Sequence, residues 1–335
     1  MKNLRSSTQK YNGKYLKLAF ELARINLGKT KTNPSVGCVI VKNNSVISSG
    51  YTSINGRPHA EFNALKKKKI ENSDLYVTME PCTHFGVVQP CTNVIKRKKI
   101  KRVYFAFNDA DPRTANKSKK VLKEVNVKVY KKKINNYKNF YQSYFINRTK
   151  DISFIDAKVA ISKDFFTINK KSNRITNSLS ESRTHLIRSQ YDAILSTSKS
   201  INKDDSLLNC RLNGLDNNKP DLIIIDLNLK IKKNLSLFKI SKKRKLSLVT
   251  LDNHNKKLTF LRKKSVKIVK IKSLSTKNDF LYLFKVLKKN GYSRILVESG
   301  LSFLNSLLQN KLIFNLFLFK SSNKVGLNGS NNTSI

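Results

Sequence analysis

The chain is short of cysteine, of long apolar runs and of acidic residues, and each shortage excludes something. Four cysteines in 335 residues cannot build the dense disulfide framework of a small secreted scaffold. The longest apolar runs, such as Leu222–Asp226 and Leu312–Phe319, are far below the roughly 20 residues that a bilayer-crossing helix needs. Residues 1–12 are polar and lack the apolar core of a secretory signal, so a cytoplasmic protein with no membrane partner is expected. Asp and Glu number 21 against 67 Lys and Arg, a formal net charge of +46. Such an imbalance raises the question of a nucleic-acid partner. The excess, however, is mostly lysine and runs along the whole chain, as in Lys66–Lys69, Lys96–Lys101, Lys131–Lys133 and Lys242–Lys245. A nucleic-acid site more often gathers arginine and interleaved aromatics on one face, so no nucleic acid is expected. The length favours two domains over one core.

What is present centres on His59-Ala60-Glu61, Glu80-Pro81-Cys82 and Cys91. One histidine and two cysteines are three of the four tetrahedral ligands of zinc, and a catalytic site leaves the fourth position for water. Zinc so held makes that water acidic enough to supply a nucleophile near neutral pH. Glu61, two residues after the histidine, stands where nucleobase deaminases keep a glutamate that carries protons rather than binding metal. A closed structural zinc knuckle is the competing reading, but it would want a fourth Cys or His and would leave Glu61 without a role. Between the cysteines lies the insert Thr83-His84-Phe85-Gly86-Val87-Val88-Gln89-Pro90, too long for one helical turn and long enough to line a pocket. Cys38 falls in an apolar strand and Cys210 in a polar stretch.

These residues resemble the bifunctional riboflavin-biosynthesis deaminase/reductase family, whose deaminase half carries H-A-E and a long P-C-[ST]-H-x-G…P-C loop. Thr32-Asn33-Pro34-Ser35-Val36-Gly37, His59-Ala60-Glu61, Glu80-Pro81-Cys82-Thr83-His84, Gly86, Pro90-Cys91 and Asp109 match it. The resemblance implies zinc held by His59, Cys82 and Cys91, Glu61 as acid/base, and substrate contacts from Asn33, His84 and Asp109. There are departures. Asp109-Ala110-Asp111-Pro112 stands for D-P-N-P, Ala115-Asn116-Lys117-Ser118 lacks both glycines of A-G-x-G, and Val87 lies near a position where the family puts a basic residue.

Periodicity gives a helix at Tyr15–Leu27, a hairpin of Val36–Val41 and Ser45–Ser49 turning at Asn43-Asn44, and a helix over His59–Lys69 whose dipole would favour an ionised Glu61. Strands follow at Leu75–Thr78, Val103–Ala106 and Val125–Tyr130, with helices from Cys91 and near Ser118–Glu124, and the aromatic, basic Tyr137–Lys150 reads as an interdomain helix. The alternation gives an α/β/α sandwich.

The resemblance continues beyond it. Ala157-Lys158-Val159-Ala160-Ile161-Ser162-Lys163-Asp164 is similar to the reductase opening K-x-A-x-S-x-D-G, with Phe165 in place of the glycine; Ser198, Asp204-Asp205 and Arg211 match a later segment in which Ser206 replaces a proline. Strands at Pro220–Asp226, Leu246–Thr250, Val266–Ile271 and Ser293–Val297 then lead into Glu298-Ser299-Gly300-Leu301-Ser302, a strand-to-helix turn suited to phosphate. The fold implied is a cytidine-deaminase-like α/β/α sandwich, residues 1–147, followed by a dihydrofolate-reductase-like α/β domain, residues 148–335. The activity implied is hydrolytic deamination of a phosphoribosylated diaminopyrimidine, then reduction of its ribose to ribitol with NADPH. Reductase substrate contacts are expected from Ser172, Arg188, Leu208, Arg211 and Glu298. Cofactor contacts are expected from Lys158, Ala160, Arg174, Ser200, Asp204, Ser299, Gly300, Leu301 and Ser302. A homo-oligomer is expected. Two other readings stand beside this one: a deaminase acting on nucleic acid with a basic RNA-binding second domain, and a deaminase whose second domain is a non-catalytic scaffold.

Overall fold

The computed structural model describes residues 11–67, 69–172, 175–215, 220–239, 244–251 and 256–332. The chain divides into two units, Met1–Lys150 and Asp151–Ile335. Among the described residues no helix is long and apolar enough to cross a membrane.

The first unit runs α1 (Gly13–Arg24), β1 (Gly37–Lys42), β2 (Ser45–Tyr51), α2 (Ala60–Ala64), β3 (Asp74–Met79), α3 (Cys91–Arg97), β4 (Arg102–Phe107), α4 (Ser118–Lys123), β5 (Lys128–Lys131) and α5 (Gln142–Thr149). Its sheet has the order β2-β1-β3-β4-β5, antiparallel at β1 with both neighbours and parallel from β3 to β5. The hairpin closes where it was expected, because Asn43 and Asn44 both take positive φ, 50° and 60°, the pair of left-handed residues that a type I′ turn requires. Two glycines explain the layering. A Cβ on Gly37 would meet the Ala19 carbonyl of α1 at 1.8 Å, and one on Gly50 would meet Ala64 N and Ala60 O of α2 at 2.5 and 2.6 Å. Gly50 pairs with Cys38, the residue after Gly37, and successive residues of a strand face opposite ways. The two helices therefore press on opposite faces, which is the expected sandwich.

Two expectations fail here. The helix read over His59–Lys69 is only Ala60–Ala64; the lysines that follow crowd like charges at helical spacing, and Lys69 is left-handed at φ 61°. Tyr137–Lys150 is not a connector between domains, since α5 starts only at Gln142 and Tyr141 and Tyr144 are buried in the first unit's own core. The Tyr141 hydroxyl donates to the Ser35 carbonyl at 3.0 Å, and the boundary drawn after residue 147 falls inside this helix rather than after Lys150.

The second unit runs β6 (Phe154–Ile161), β7 (Phe166–Asn169), α6 (Ser178–Arg188), β8 (Ala193–Thr197), α7 (Ser198–Asp204), β9 (Asp221–Ile225), β10 (Leu246–Leu251), α8 (Lys256–Lys263), β11 (Val266–Ile271), α9 (Lys277–Lys289), β12 (Arg294–Val297), α10 (Leu301–Gln309), β13 (Leu316–Lys320) and β14 (Gly329–Asn332). Seven parallel strands are ordered β11-β10-β9-β8-β12-β6-β13, and β7 pairs with β14 apart from them. The strands are apolar on both faces: Ile223 and Ile225 of β9 belong to one cluster with Leu283 and Leu307, while Leu222 and Ile224 belong to another with Leu237 and Leu261. Continuous apolar strands are what a doubly covered parallel sheet demands. At the β6–β7 turn Phe165 takes φ 66°, so the left-handed turn that a glycine would form is kept by a bulky residue, at a cost of about 1–2 kcal/mol.

Candidate active sites

In the first unit, β3 ends at Met79 and delivers Glu80-Pro81-Cys82, α3 begins at Cys91, and His59 is the residue before α2. Sγ of Cys82 and Sγ of Cys91 lie 3.7 and 3.4 Å from Nδ1 of His59, and the three ligand atoms all fall within 4.8 Å of one another. Zinc bonded tetrahedrally at about 2.0–2.3 Å places its ligand atoms roughly 3.5 Å apart. The trio therefore fits zinc, with Nδ1 as the nitrogen turned to the cysteines. The Cys91 backbone N–H donates to Cys82 Sγ at 3.2 Å, and hydrogen bonds from Cys91 and then His59 hold the Cys82 thiol down at about 4, in the thiolate form that a metal takes.

Glu61 is buried, and burial pushes its carboxyl up to about 7 even though His59 beside it pulls the other way. The dipole of a five-residue helix does not offset that desolvation, which corrects the expectation of a readily ionised carboxylate; a dication held by the neighbouring ligands would draw it back down.

A cleft of about 560 Å³, open at its mouth, brings His59, Glu61 and Cys82 together with Asn33, His84 and Asp109. Asn33 Nδ2 donates to Gly56 O at 3.0 Å, His84 Nδ1 lies 2.9 Å from Thr114 Oγ1, and Asp109 Oδ1 accepts from the Tyr144 hydroxyl at 2.6 Å and the Asp111 N–H at 2.9 Å. Burial raises the Asp109 carboxyl, with Tyr144 opposing. The cleft also includes residues that the sequence did not single out: Arg57, Arg113, Tyr144 and Arg148. Glu80, read only as part of a motif, turns out to hold the neighbouring loop. Its Oε2 accepts from Asp109 N (3.3 Å) and Asn116 N (3.0 Å), and its Oε1 from Ser118 N (3.0 Å) and Ser118 Oγ (2.8 Å). Asn116 takes φ 61°, the left-handed geometry that the absent glycine would have supplied.

In the second unit, Arg188 at the end of α6 grips Glu298, just past β12, through Nε–Oε1 at 2.6 Å and Nη2–Oε2 at 2.9 Å. Burial favours the protonated acid, but Arg188 and then Lys158 override it and hold Glu298 below its ordinary value. Lys158 of β6 is lowered by its own burial, with Glu298 opposing, and its ammonium lies 5.3 Å from the Phe319 ring centroid. Ala160 lies two residues on in the same strand. Gly300 is the N-cap of α10 with no side chain capping it, and its N–H donates to Ser200 Oγ at 3.0 Å, so Ser200 joins Ser299, Gly300, Leu301 and Ser302 at one turn. Leu208 is left-handed at φ 49°. Arg211 Nη1 donates to Asn209 Oδ1 at 3.2 Å, away from that turn and on Glu181. Asp204 is exposed at the end of α7, while its neighbour Asp205 binds Ser236. Ser172 lies exposed beyond β7, and Arg174 lies outside the described residues.

The family model described as the cytidine and deoxycytidylate deaminase zinc-binding region matches residues 9–107, and that of the RibD C-terminal domain matches residues 154–329. The riboflavin biosynthesis protein RibD of Aquifex aeolicus is 32% identical over 313 residues, spanning 91% of this chain and 85% of that protein. The chain belongs to the RibD family. The RibD of Buchnera aphidicola is likewise 32% identical, over 327 residues and the same shares of the two chains. The solved structure of Acinetobacter baumannii RibD, form 1, superposes with a TM-score of 0.82 at 25% identity, covering 96% of this chain and 90% of that one. As a member of this family, the chain uses zinc in its first unit and NADPH in its second.

Proposed function

We propose that this chain carries out two consecutive steps of riboflavin biosynthesis, the diaminohydroxyphosphoribosylaminopyrimidine deaminase and 5-amino-6-(5-phosphoribosylamino)uracil reductase reactions named for a Thermotoga maritima structure of the same fold. The observation that carries the reading is that His59 and Cys82 of the zinc-fitting trio line one cleft with Glu61, Asn33, His84 and Asp109.

When bound by His59, Cys82 and Cys91, zinc supplies the Lewis acidity that makes water nucleophilic near neutral pH. Glu61 is the group placed to move the protons, one from the attacking water to the ring nitrogen and a second from the added hydroxyl to the amine that leaves as ammonia, a general acid/base role. With Nδ1 of His59 committed to the metal, the ring keeps its proton on Nε2. Asn33, His84 and Asp109 orient the pyrimidine and its ribose.

In the second unit the hydride chemistry belongs to NADPH. The free N–H groups at the start of α10, with Ser200 beside them, suit its phosphates. Glu298, held by Arg188, binds the sugar hydroxyls near the hydride path, and Lys158 stays on the cofactor side. Of the expected cofactor contacts, Ser200, Ser299, Gly300, Leu301 and Ser302 are carried forward with this turn. Arg211, Leu208 and Ser172 are assigned to the substrate side, and Asp204 to the cofactor side.

We read the protein as a cytoplasmic homo-oligomer. Four unpaired cysteines suit a reducing compartment, and edge strand β13 leaves Leu318 47% exposed, a surface that a second copy can cover. The test is a coupled assay on the purified protein with the pyrimidine nucleotide, following ammonia release and NADPH loss together. Both signals are expected. Ammonia without NADPH consumption would reduce the second unit to a scaffold, and neither signal would overturn the reading.

A further inference from the structure

The lining of the zinc cleft includes three arginines from three separate segments: Arg57 before α2, Arg113 after β4 and Arg148 on α5. Lysine far outnumbers arginine in this chain, yet among the described residues no lysine lines the cleft. The loop between the zinc cysteines, 83–90, brings no Lys or Arg either; it presents Phe85 and Val87, 73% and 84% exposed. The cleft has therefore selected the forked, planar cation that binds phosphate through two hydrogen bonds at once.

Among the described acids of the cleft only Asp111 pairs directly with these cations. Asp111 serves two of them: Arg113 donates to it from Nε at 2.9 Å and from Nη2 at 2.6 Å, and Arg148 Nη2 lies 3.6 Å from the same carboxylate. Glu80 is occupied by four donors of its own loop, and Asp109 by Tyr144 and the Asp111 N–H. No described acidic side chain pairs with Arg57, whose Nη2 lies alongside the Gly86 backbone, 3.5 Å from where a Cβ there would stand. Three guanidinium groups thus share one directly paired carboxylate, Asp111, and Arg57 keeps its fork free of any described acidic partner in the cleft that His59 and Cys82 also line. Arg148 is also steadied by the face of Tyr144, its guanidinium 5.5 Å from the ring centroid, so its fork is held in place before anything binds.

We propose that Arg57, Arg113 and Arg148 form the subsite that takes the phosphate monoester of the deaminase substrate, with Asp111 as the internal counter-ion that keeps Arg113 and Arg148 aligned until the phosphate arrives. The inference rests on the deaminase reading for its substrate and on the cleft geometry for its residues. These arginines act on specificity: they make the first unit prefer the phosphorylated nucleotide to the nucleoside, Arg113 and Arg148 from segments that carry neither a zinc ligand nor Glu61, and Arg57 from two residues before His59.

The experiment uses the full-length, zinc-loaded protein and its Arg57→Ala, Arg113→Ala and Arg148→Ala variants, with the Arg→Lys changes in case an alanine variant fails to fold. Two readouts are taken: ammonia release from the phosphorylated substrate and from its dephosphorylated nucleoside, and binding of inorganic phosphate followed by phosphorus NMR. Each alanine variant is expected to raise KM for the phosphorylated substrate by about 10- to 100-fold, with kcat within about threefold and the nucleoside kinetics unchanged. Lysine variants should recover part of the loss, and inorganic phosphate should bind the parent protein but not the triple variant. If the protein releases ammonia but the variants leave KM and phosphate binding as they were, or raise KM equally for both substrates, the subsite is wrong while the deaminase stands. If no ammonia is released but phosphate still binds through these arginines, the subsite stands and the reaction assignment falls.

Discussion

Arg188 and Glu298, 110 positions apart in the chain, face each other through two parallel hydrogen bonds of 2.6 and 2.9 Å, with side chains only 12% and 8% exposed. A buried pair of this kind is costly to break on one side, because the remaining charge has neither water nor partner. Arg188→Ala should therefore destabilise the second unit by about 3–5 kcal/mol. Replacing both partners, as in Arg188→Met with Glu298→Leu, should return most of that loss while leaving NADPH oxidation abolished. Urea unfolding followed by circular dichroism distinguishes the two outcomes; equal destabilisation by the single and double variants would mean that the pair does not carry the effect.

Zinc and proton transfer separate cleanly in the first unit. Cys91→Ser should lose metal and ammonia release together, whereas Glu61→Gln should keep one zinc per chain and lose about two to four orders of magnitude in kcat. Stripping zinc with a chelator should abolish ammonia release but leave NADPH oxidation on the preformed uracil intermediate. Zinc content and the two activities, measured on the same samples, check all three. Zinc retained in a protein lacking both Cys82 and Cys91 would remove the assignment.

Glu80 is surrounded by four donors and no acceptor, a setting that only a carboxylate satisfies. Glu80→Gln keeps the shape but turns an NH2 group toward N–H donors, so it should be nearly as harmful as Glu80→Ala, each costing about 2–4 kcal/mol in the first unit. Because the loop it holds includes Asp109, KM for deamination should rise while zinc stays bound. A Gln variant as stable as the parent would mean that water already satisfies those donors.

The legible parts of the molecule are those whose chemistry is local. His59, Cys82 and Cys91 could be named because their types and spacing encode a ligand set, Glu61 because it follows the histidine by two residues, and the Asn43-Asn44 hairpin because left-handed residues are written into the residue type. Arg113, Arg148 and Tyr144 were not legible. The first replaces nothing recognisable in its motif, and the other two sit in an aromatic helix that packs in the first core and only there turns toward the cleft. Strand β13 was missed for a related reason. Its apolar run, part of 312–319, fits a buried helix as well as a strand, and only the pairing with β6 decides between them. Phe165 was illegible for another reason: a bulky residue type gives no sign of a left-handed turn, yet its backbone is left-handed, with Ser162 accepting the Phe166 N–H at 2.9 Å.

Asp111 is held well below the ordinary carboxylate range, chiefly by the hydrogen bond from Arg113 and further by Arg148. A group whose pKa is lower in the folded than in the unfolded chain stabilises the fold fully above its unfolded value of about 4, and loses that contribution as pH falls through the folded value. Asp111→Asn should therefore leave the first unit less stable than the parent by an amount that is constant above about pH 5 and shrinks toward about pH 2. Carboxylates remote from Asp111 titrate equally in both proteins and cancel in the difference, while Asp109, which Asp111 pushes up, is relieved of that push in the variant. The Arg113 side chain is 57% exposed and that of Arg148 34%, so added salt should narrow the gap at neutral pH by screening the pair. Urea unfolding of both proteins across this range, at low and high salt, gives the comparison directly. A difference that does not change with pH would show that Asp111 acts through its backbone contacts, the bond from the Arg113 N–H at 3.0 Å among them, rather than through its charge.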